Sequence, residues 1–228
     1  MRNYKYMKKF NNHPIIIFDF DGVIVDSERL SFDAINYALH SFKINLKEDE
    51  VNSKYRGWQF SKIADDLDLS DKNSKKFQQM ILSYLNSNID NIKVIDGIPN
   101  LLDMLSRNEV EFCITSNASI ERISKILYEK RLNHFFKNKM IFGKEMAKNG
   151  KPYPDIYNLS INHFSKGHNK FIAIEDSVTG VMAASQAKVN SIVGFIDNNS
   201  STCPSLMKET GCTDIIHNIN DFYPLFFS

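Results

Sequence analysis

The amino-acid sequence predicts an α/β fold: a doubly wound parallel sheet, similar to the Rossmann arrangement, with an all-helical domain inserted after its first strand. Short apolar runs recur along the chain, as expected for strands that are buried on both faces of a parallel sheet. Helical apolar patterns separate the later runs, which indicates βαβ units. Between residues 27 and 91 no strand-like run occurs, and apolar residues recur only at helical spacing.

The predicted strands and helices alternate in chain order. The first strand covers residues 15–20, begins with β-branched residues and ends in acidic residues and Gly22. Later apolar runs predict three more strands, at residues 111–115, 171–174 and 191–196. Helical patterns between them cover residues 119–132 and a segment that begins at Pro154.

The inserted segment predicts three or four helices. Apolar residues recur at helical spacing over residues 30–42 and again over residues 77–85. Gly97 and Pro99 suit a linker and the start of the next helix. We therefore predict a tail (residues 1–13), a core domain (residues 14–26 and 92–228) and an inserted helical domain (residues 27–91).

The composition limits the possible partners. The 228 residues include 28 basic and 27 acidic side chains, so the net charge is +1. No overall field then favours nucleic acid or an anionic membrane. The three cysteines are an odd number with no regular spacing, which argues against a disulfide framework and for a reducing compartment. Cys203 and Cys212 have no Cys or His at zinc-finger spacing, which argues against a zinc site. No segment approaches the ~20 apolar residues that cross a bilayer. We expect a soluble, cytoplasmic protein. A single core that carries its own inserted domain also favours a monomer.

Polar side chains follow the predicted strands at their carboxyl ends, where open α/β sheets bind ligands. The clusters are Asp19-Phe-Asp21-Gly22, Thr115-Ser116-Asn117, Lys151 and Glu175-Asp176-Ser177. Each alone has an ordinary explanation as a turn, a helix cap or a solvated loop residue. Four of them in order, each at a strand end or in the loop that follows, favour a single site for phosphoryl transfer.

Carboxylates dominate this predicted site. Close together, Asp19, Asp21, Glu175 and Asp176 cannot all stay ionised without a cation. Oxygen ligands without His or Cys indicate Mg²⁺, which would hold a phosphate oxygen and reduce repulsion between an anionic nucleophile and an anionic substrate. Carboxylates also act as covalent nucleophiles, and two of them on one strand end can divide attack and proton transfer between them.

The other residues of the clusters suit a phosphate group. Ser116 and the adjacent backbone amides, including that of Asn117, would bind phosphate oxygens. Lys151 would place a fixed positive charge beside both the phosphate and the nucleophile. Gly22 allows the backbone to approach the phosphate closely.

Four segments together resemble motifs one to four of the haloacid dehalogenase superfamily, in its β-phosphoglucomutase-like branch. They are Asp19-Phe-Asp-Gly-Val-Ile-Val-Asp-Ser-Glu28, Ile114-Thr-Ser-Asn-Ala-Ser119, Gly150-Lys-Pro-Tyr-Pro-Asp155 and Glu175-Asp-Ser-Val-Thr-Gly180. The resemblance extends over nearly the whole chain after the tail. It implies a Mg²⁺-dependent phosphatase for small phosphorylated metabolites, such as sugar or polyol phosphates. The insertion matches the helical cap of this branch, which closes over the site and excludes water.

The resemblance also implies a role for each matching residue. Asp19 would be the phosphorylated nucleophile and Asp21 the general acid/base. Ser116 and Lys151 would hold the phosphoryl group. The implied metal ligands are Asp19, Asp21 through its backbone carbonyl, Asp176, and Glu175 either directly or through water.

Two alternatives to the phosphatase stay open. The first is a sugar-phosphate mutase. β-Phosphoglucomutases carry a His near the position that Ser31 occupies here, and they carry Ser-Arg after the cap glycine, where this chain has Tyr55-Arg-Gly-Trp-Gln-Phe60. Both differences favour the phosphatase over the mutase. The second is a non-catalytic protein that binds a phosphorylated ligand and would not need the intact catalytic set. Residues 54–57 are similar to those of bacterial sugar-phosphate phosphatases, including those that act on 6-phosphogluconate. Arg56 and Gln59 are therefore candidate substrate contacts in the cap.

Overall fold

The structure is a computed structural model that describes residues 14–55, 58, 60–136, 140–164, 170–197 and 202–227. Its strands are β1 (Ile15–Phe18), β2 (Val25–Asp26), β3 (Lys93–Val94), β4 (Phe112–Thr115), β5 (Ile141–Phe142), β6 (Phe171–Glu175), β7 (Ser191–Phe195) and β8 (Asp214–Ile216). Six of them form one parallel sheet in the order β5-β4-β1-β6-β7-β8. The other two, β2 and β3, form a separate antiparallel pair.

Ten α-helices lie in the described part of the chain. They are α1 (Glu28–Ser41), α2 (Glu48–Tyr55), α3 (Phe60–Asp66), α4 (Asp71–Ser87), α5 (Ile98–Arg107), α6 (Ile120–Glu129), α7 (Asp155–Phe164), α8 (Val178–Gln186), α9 (Pro204–Thr210) and α10 (Phe222–Phe227). Helices α5, α6 and α10 contribute to the apolar core on one face of the sheet, and α7, α8 and α9 to the core on the other face. A parallel sheet covered by helices on both faces confirms the predicted fold class.

Strand β1 occupies the middle of the sheet because its side chains are apolar on both faces. Side chains alternate across a strand, so Ile16 and Phe18 join one core and Ile15 and Ile17 join the other. All four are completely buried, which stabilises the fold by about 1.5–3 kcal/mol for each side chain. The strand therefore delivers the residue that follows it, Asp19, to the centre of the sheet edge.

The chain between β2 and β3 forms the helical insertion. Helices α1 and α4 pack together through buried apolar residues that include Ala34, Ala38, Phe77 and Ile81. Strands β2 and β3 pair at the point where the chain leaves and re-enters the core. The four helices match the predicted all-helical insertion, while its domain boundaries at residues 27 and 91 stay a prediction.

Some elements do not follow from the sequence pattern. The outer strands β5 and β8 contain two and three residues, too few to give a periodic signal. The pair β2 and β3 is equally short. None of the helices in the described ranges combines the length and the apolar character that a membrane span requires.

Candidate active site

The predicted site residues meet at the carboxyl edge of the sheet. Asp19, Ser116 and Asp176 directly follow β1, β4 and β6, which are neighbours in the sheet. Backbone bonds extend the sheet to the first two: Asp19 donates its N–H to the carbonyl of Ile174, and Ser116 donates to that of Phe142. Both residues are buried. Sheet geometry therefore fixes their positions.

One buried ammonium group connects several parts of the site. Nζ of Lys151 donates to Oδ1 of Asp19 at 2.5 Å and to Oε1 of Glu175 at 2.6 Å. A third bond goes to the carbonyl oxygen of Thr115 at 3.0 Å. The hydroxyl of Tyr157, on α7, donates to the same Oε1 of Glu175 at 2.5 Å. Because these groups are buried, solvent screens them little, and Lys151 has a fixed position beside Asp19.

Burial and crowding disfavour the charged forms of the site carboxylates. Burial raises the pKa of Asp19 to about 7 against the opposing charge of Lys151, and Glu175 adds to the rise. Burial, together with Asp19 and Glu175, also raises the pKa of Asp176 well above its ordinary value. Burial lowers the pKa of Lys151, but Asp19 and Glu175 outweigh it and raise that pKa above its ordinary value. The single positive charge of Lys151 therefore does not balance the negative charge of the whole carboxylate cluster.

The carboxylate cluster fits a divalent cation. One oxygen from each of Asp19, Glu175 and Asp176 lies within 4.8 Å of the other two. Oε2 of Glu175 is buried and has no hydrogen-bond partner among the residues that the structure describes. All these donors are oxygens, the ligands that Mg²⁺ prefers. An added cation would also reverse the rise in the carboxylate pKa values.

Gly22 brings the backbone after β1 against Asp176. Its φ is +83°, in the left-handed region, and a Cβ at this position would lie 2.0 Å from Oδ2 of Asp176. Only glycine accepts both conditions without strain. The sequence predicted Gly22 for close approach of a phosphate, and the structure adds close approach of a predicted metal ligand.

Asn117 fixes the loop that contains Lys151. The N–H of Lys151 donates to Oδ1 of Asn117 at 2.8 Å, and Nδ2 of Asn117 donates to the carbonyl of Lys151 at 3.2 Å. A Cβ at position 150 would lie 2.6 Å from that Oδ1, so this pair of hydrogen bonds requires glycine before Lys151. Oγ of Ser116 accepts from the N–H of Ala118 at 3.0 Å. The side chain of Asn117 thus bonds to the backbone of Lys151. The phosphate contact predicted for Asn117 would then come from its backbone N–H.

Asp21 contacts a residue that the sequence reasoning missed. The guanidinium of Arg122, on α6, binds both carboxylate oxygens of Asp21 at 2.8–3.0 Å. Tyr157, the hydroxyl partner of Glu175, was missed as well. Each of the two is the third residue of its helix. Helices that follow parallel strands begin at the carboxyl edge of the sheet. A position in the first turn of such a helix was therefore the sequence signal that could have indicated these two residues.

A cleft of about 760 Å³ lies between the sheet edge and the helical cap. Its core side includes Asp21, Gly22, Asn117, Arg122 and Asp176. The cleft therefore gives a small ligand access to the predicted acid/base Asp21 and to Asp176 of the carboxylate cluster.

The cap side of the cleft is largely apolar. It includes Phe32, Trp58 and Leu82, with Ser31 among the polar residues. The predicted substrate contacts Arg56 and Gln59 lie outside the described residues. Their roles stay predictions.

Comparisons with known proteins agree with this geometry. The profile of the haloacid dehalogenase-like hydrolase family matches residues 16–193. The phosphorylated carbohydrates phosphatase of Thermotoga maritima is 26% identical over 195 residues, 79% of this chain and 84% of that protein. The probable pseudouridine-5'-phosphatase of Drosophila melanogaster is 26% identical over 219 residues, 91% and 90% of the two chains. A haloacid dehalogenase-like family hydrolase from Streptococcus pneumoniae has the same fold, with a TM-score of 0.78 at 17% identity, covering 95% of this chain and 99% of that chain.

The family match includes all four clusters at the sheet edge, from Asp19 to Ser177. It also spans the helical insertion and most of the parallel sheet. The chain belongs to the haloacid dehalogenase-like hydrolases.

Proposed function

We propose that this protein is a Mg²⁺-dependent phosphatase that hydrolyses phosphate monoesters of small metabolites, such as sugar or polyol phosphates, through an aspartyl-phosphate on Asp19. The observation that supports this most directly is the contact of Asp19 with the buried Lys151, beside the carboxylates of Glu175 and Asp176. A carboxylate nucleophile, a fixed cation and ligands for a hard ion are the parts that phosphoryl transfer requires. Two relatives named as phosphatases align with most of the chain.

In the first step an oxygen of Asp19 attacks phosphorus, and the bond from phosphorus to the leaving oxygen breaks. Asp21 gives its proton to that oxygen, so the product leaves as an alcohol. Lys151, the hydroxyl of Ser116 and the backbone N–H of Asn117 hold the phosphate oxygens. When bound to the carboxylate cluster, Mg²⁺ supplies positive charge that reduces repulsion between the nucleophile and the phosphate.

In the second step Asp21, now a carboxylate, takes a proton from a water molecule. The water oxygen attacks phosphorus, and the bond between phosphorus and the Asp19 oxygen breaks. Inorganic phosphate leaves, Asp19 is again a carboxylate, and Asp21 is again protonated. The sum of the two steps is the conversion of a phosphate ester and water into an alcohol and phosphate.

The size of the cleft supports a small-molecule substrate. Its volume of about 760 Å³ falls within the ~300–1,000 Å³ of small-ligand pockets. Because the cap residues face Asp21 across the cleft, they would contact the leaving group and set its identity. A monomeric state and a lack of nucleic-acid or membrane partners remain part of the proposal.

The test is phosphate release from p-nitrophenyl phosphate and from a panel of phosphorylated sugars, polyols and nucleotides, with and without Mg²⁺. We expect Mg²⁺-dependent release by the native protein and a loss of more than about 10³-fold in Asp19→Asn. A matched control is Asp65→Asn, an exposed carboxylate on α3, which should keep native activity. No release by the native protein, or equal release by Asp19→Asn, would overturn the proposal. Conversion of β-glucose 1-phosphate to glucose 6-phosphate without phosphate release would replace it with the mutase.

A further inference from the structure

Arg122 binds Asp21 across 101 residues of sequence. Its Nη1 donates to Oδ1 at 3.0 Å and to Oδ2 at 2.8 Å, and its Nη2 donates to Oδ1 at 3.0 Å. The side chains of Arg122 and Asp21 are 19% and 33% exposed, and both line the cleft. The contact therefore lies in the wall of the site, partly shielded from solvent.

The backbone of Arg122 is held firmly on the core. It is the third residue of α6, and its N–H donates to Oγ of the N-cap residue Ser119 at 3.2 Å. The next residue, Ile123, is completely buried in the apolar core. Arg122 thus gives Asp21 a partner whose position is set by the packing of a core helix.

The two oxygens of Asp21 are used unequally. Within the described part of the chain, Oδ1 accepts two N–H bonds from Arg122 and Oδ2 accepts one. A carboxylate oxygen accepts about two hydrogen bonds, so Oδ2 has capacity to accept a proton. The second step needs a free acceptor position of this kind, because Asp21 then takes a proton from water.

We propose that Arg122 is a positioning residue for water activation, holding the side chain of Asp21 in a fixed orientation while the aspartyl-phosphate is hydrolysed. The inference rests on the proposed function, because it requires phosphorylation of Asp19 and acid/base action by Asp21. Breakdown of the aspartyl-phosphate is the step in which this orientation is tested, because the water that attacks phosphorus must lose its proton to Asp21.

Kinetics with p-nitrophenyl phosphate separate the two steps. Its leaving group needs no acid, so release of p-nitrophenolate reports formation of the aspartyl-phosphate, and inorganic phosphate reports its breakdown. In Arg122→Met we expect a rapid first turnover at the native rate and a steady-state rate about 10- to 100-fold lower, because the base is misplaced. An acid-quenched sample of the variant should then carry one phosphoryl group on Asp19, measured by mass spectrometry.

Two further variants keep the test decisive. Arg122→Lys retains one cationic donor and should recover part of the steady-state rate, and it replaces Arg122→Met if circular dichroism shows that the latter is unfolded. Lys125→Met is the matched control, because it removes a positive charge from the same helix, where the ammonium donates to the carbonyl of Asn86. It should leave both phases unchanged.

Several outcomes would overturn the role of Arg122. One is a first turnover slowed as much as the steady state, without accumulation of the phosphoryl group. Another is a raised KM at an unchanged kcat, which would make Arg122 a substrate contact. A third is identical behaviour of Arg122→Met and Lys125→Met. Failure of the native protein to release either product would instead overturn the proposed function.

Discussion

Nζ of Lys151 lies 2.5 Å from Oδ1 of Asp19, so the loop before α7 places a cation at the end of the central strand. The same ammonium contacts Glu175, whose side chain is completely buried. Loss of one partner from a buried ion pair leaves the other charge without compensation. Lys151 therefore contributes to the stability of the fold as well as to the proposed chemistry.

Replacement of Lys151 by methionine should reduce both stability and activity. Asp19 and Glu175 would each lose a charged partner, so we expect the free energy of unfolding to fall by about 3–5 kcal/mol. Urea denaturation measures this change, and phosphate release should be lost. The control is Lys148→Met, an exposed lysine of the same loop, which should change neither quantity. Equal stabilities of the two variants would contradict a structural role for the buried ammonium.

Removal of the Asn117 side chain should disturb Lys151 without touching the substrate. Asn117→Ala loses both bonds to the backbone of Lys151, and we expect about 1–3 kcal/mol lower stability. Because Lys151 is then less well positioned, kcat should fall by about tenfold or more, with a smaller change in KM. Asn158→Ala, on the exposed side of α7, is the control. An increase in KM alone would show that Asn117 binds substrate instead.

A methyl group at Gly22 should displace Asp176. Gly22→Ala places Cβ 2.0 Å from Oδ2 of Asp176 at a positive φ, so we expect weaker Mg²⁺ binding and a backbone penalty of about 1–2 kcal/mol. A double-mutant cycle with Asp176→Ala separates the two effects. The part of the destabilisation that comes from the steric conflict should disappear in the Asp176→Ala background. Additive changes in stability would show that the conflict with Asp176 has no effect.

The position of the candidate site was predictable because it follows from the order of strands. Asp19 and Asp176 each follow an apolar run, and the carboxyl ends of parallel strands lie on one edge. The pairings of β1 with β4 and with β6 then bring the clusters together. Regular elements with strong apolar patterns give this information without any knowledge of side-chain contacts.

The partners of the site residues were not predictable in the same way. Arg122 and Tyr157 lie in first helical turns, which places them near the sheet edge, but the contacts with Asp21 and Glu175 depend on side-chain conformations that no spacing along the chain reveals. The backbone amide of Asn117 was predicted to bind phosphate because it is adjacent to Ser116, whereas the structure shows that the side chain of Asn117 contacts the backbone of Lys151. Such contacts join segments that are distant in sequence, and they become visible only when the elements are packed together.

In the metal-free protein, stability should depend on pH through Asp19. Folding raises the pKa of this carboxyl from 3.8 to about 7, so between these values the folded state binds more protons than the unfolded state. The free energy of unfolding therefore falls as pH rises through this window and levels off above it. Bound Mg²⁺ favours the ionised carboxylates and should remove the decline, and it should add about 2.7 kcal/mol at a concentration 100-fold above its Kd.

Asp19→Asn isolates the contribution of Asp19 to the pH dependence of stability, because the side-chain amide binds no proton between pH 3.8 and about 7. Without metal, the variant should lose less stability with rising pH than the native protein and should be the more stable of the two near neutral pH. Some decline should remain, because burial also raises the pKa of Asp176. Urea denaturation in EDTA and in Mg²⁺, from about pH 4.5 to 8, measures these differences. Asp65→Asn is again the control, and a decline in Asp19→Asn as steep as in the native protein would show that Asp19 is ionised throughout the window.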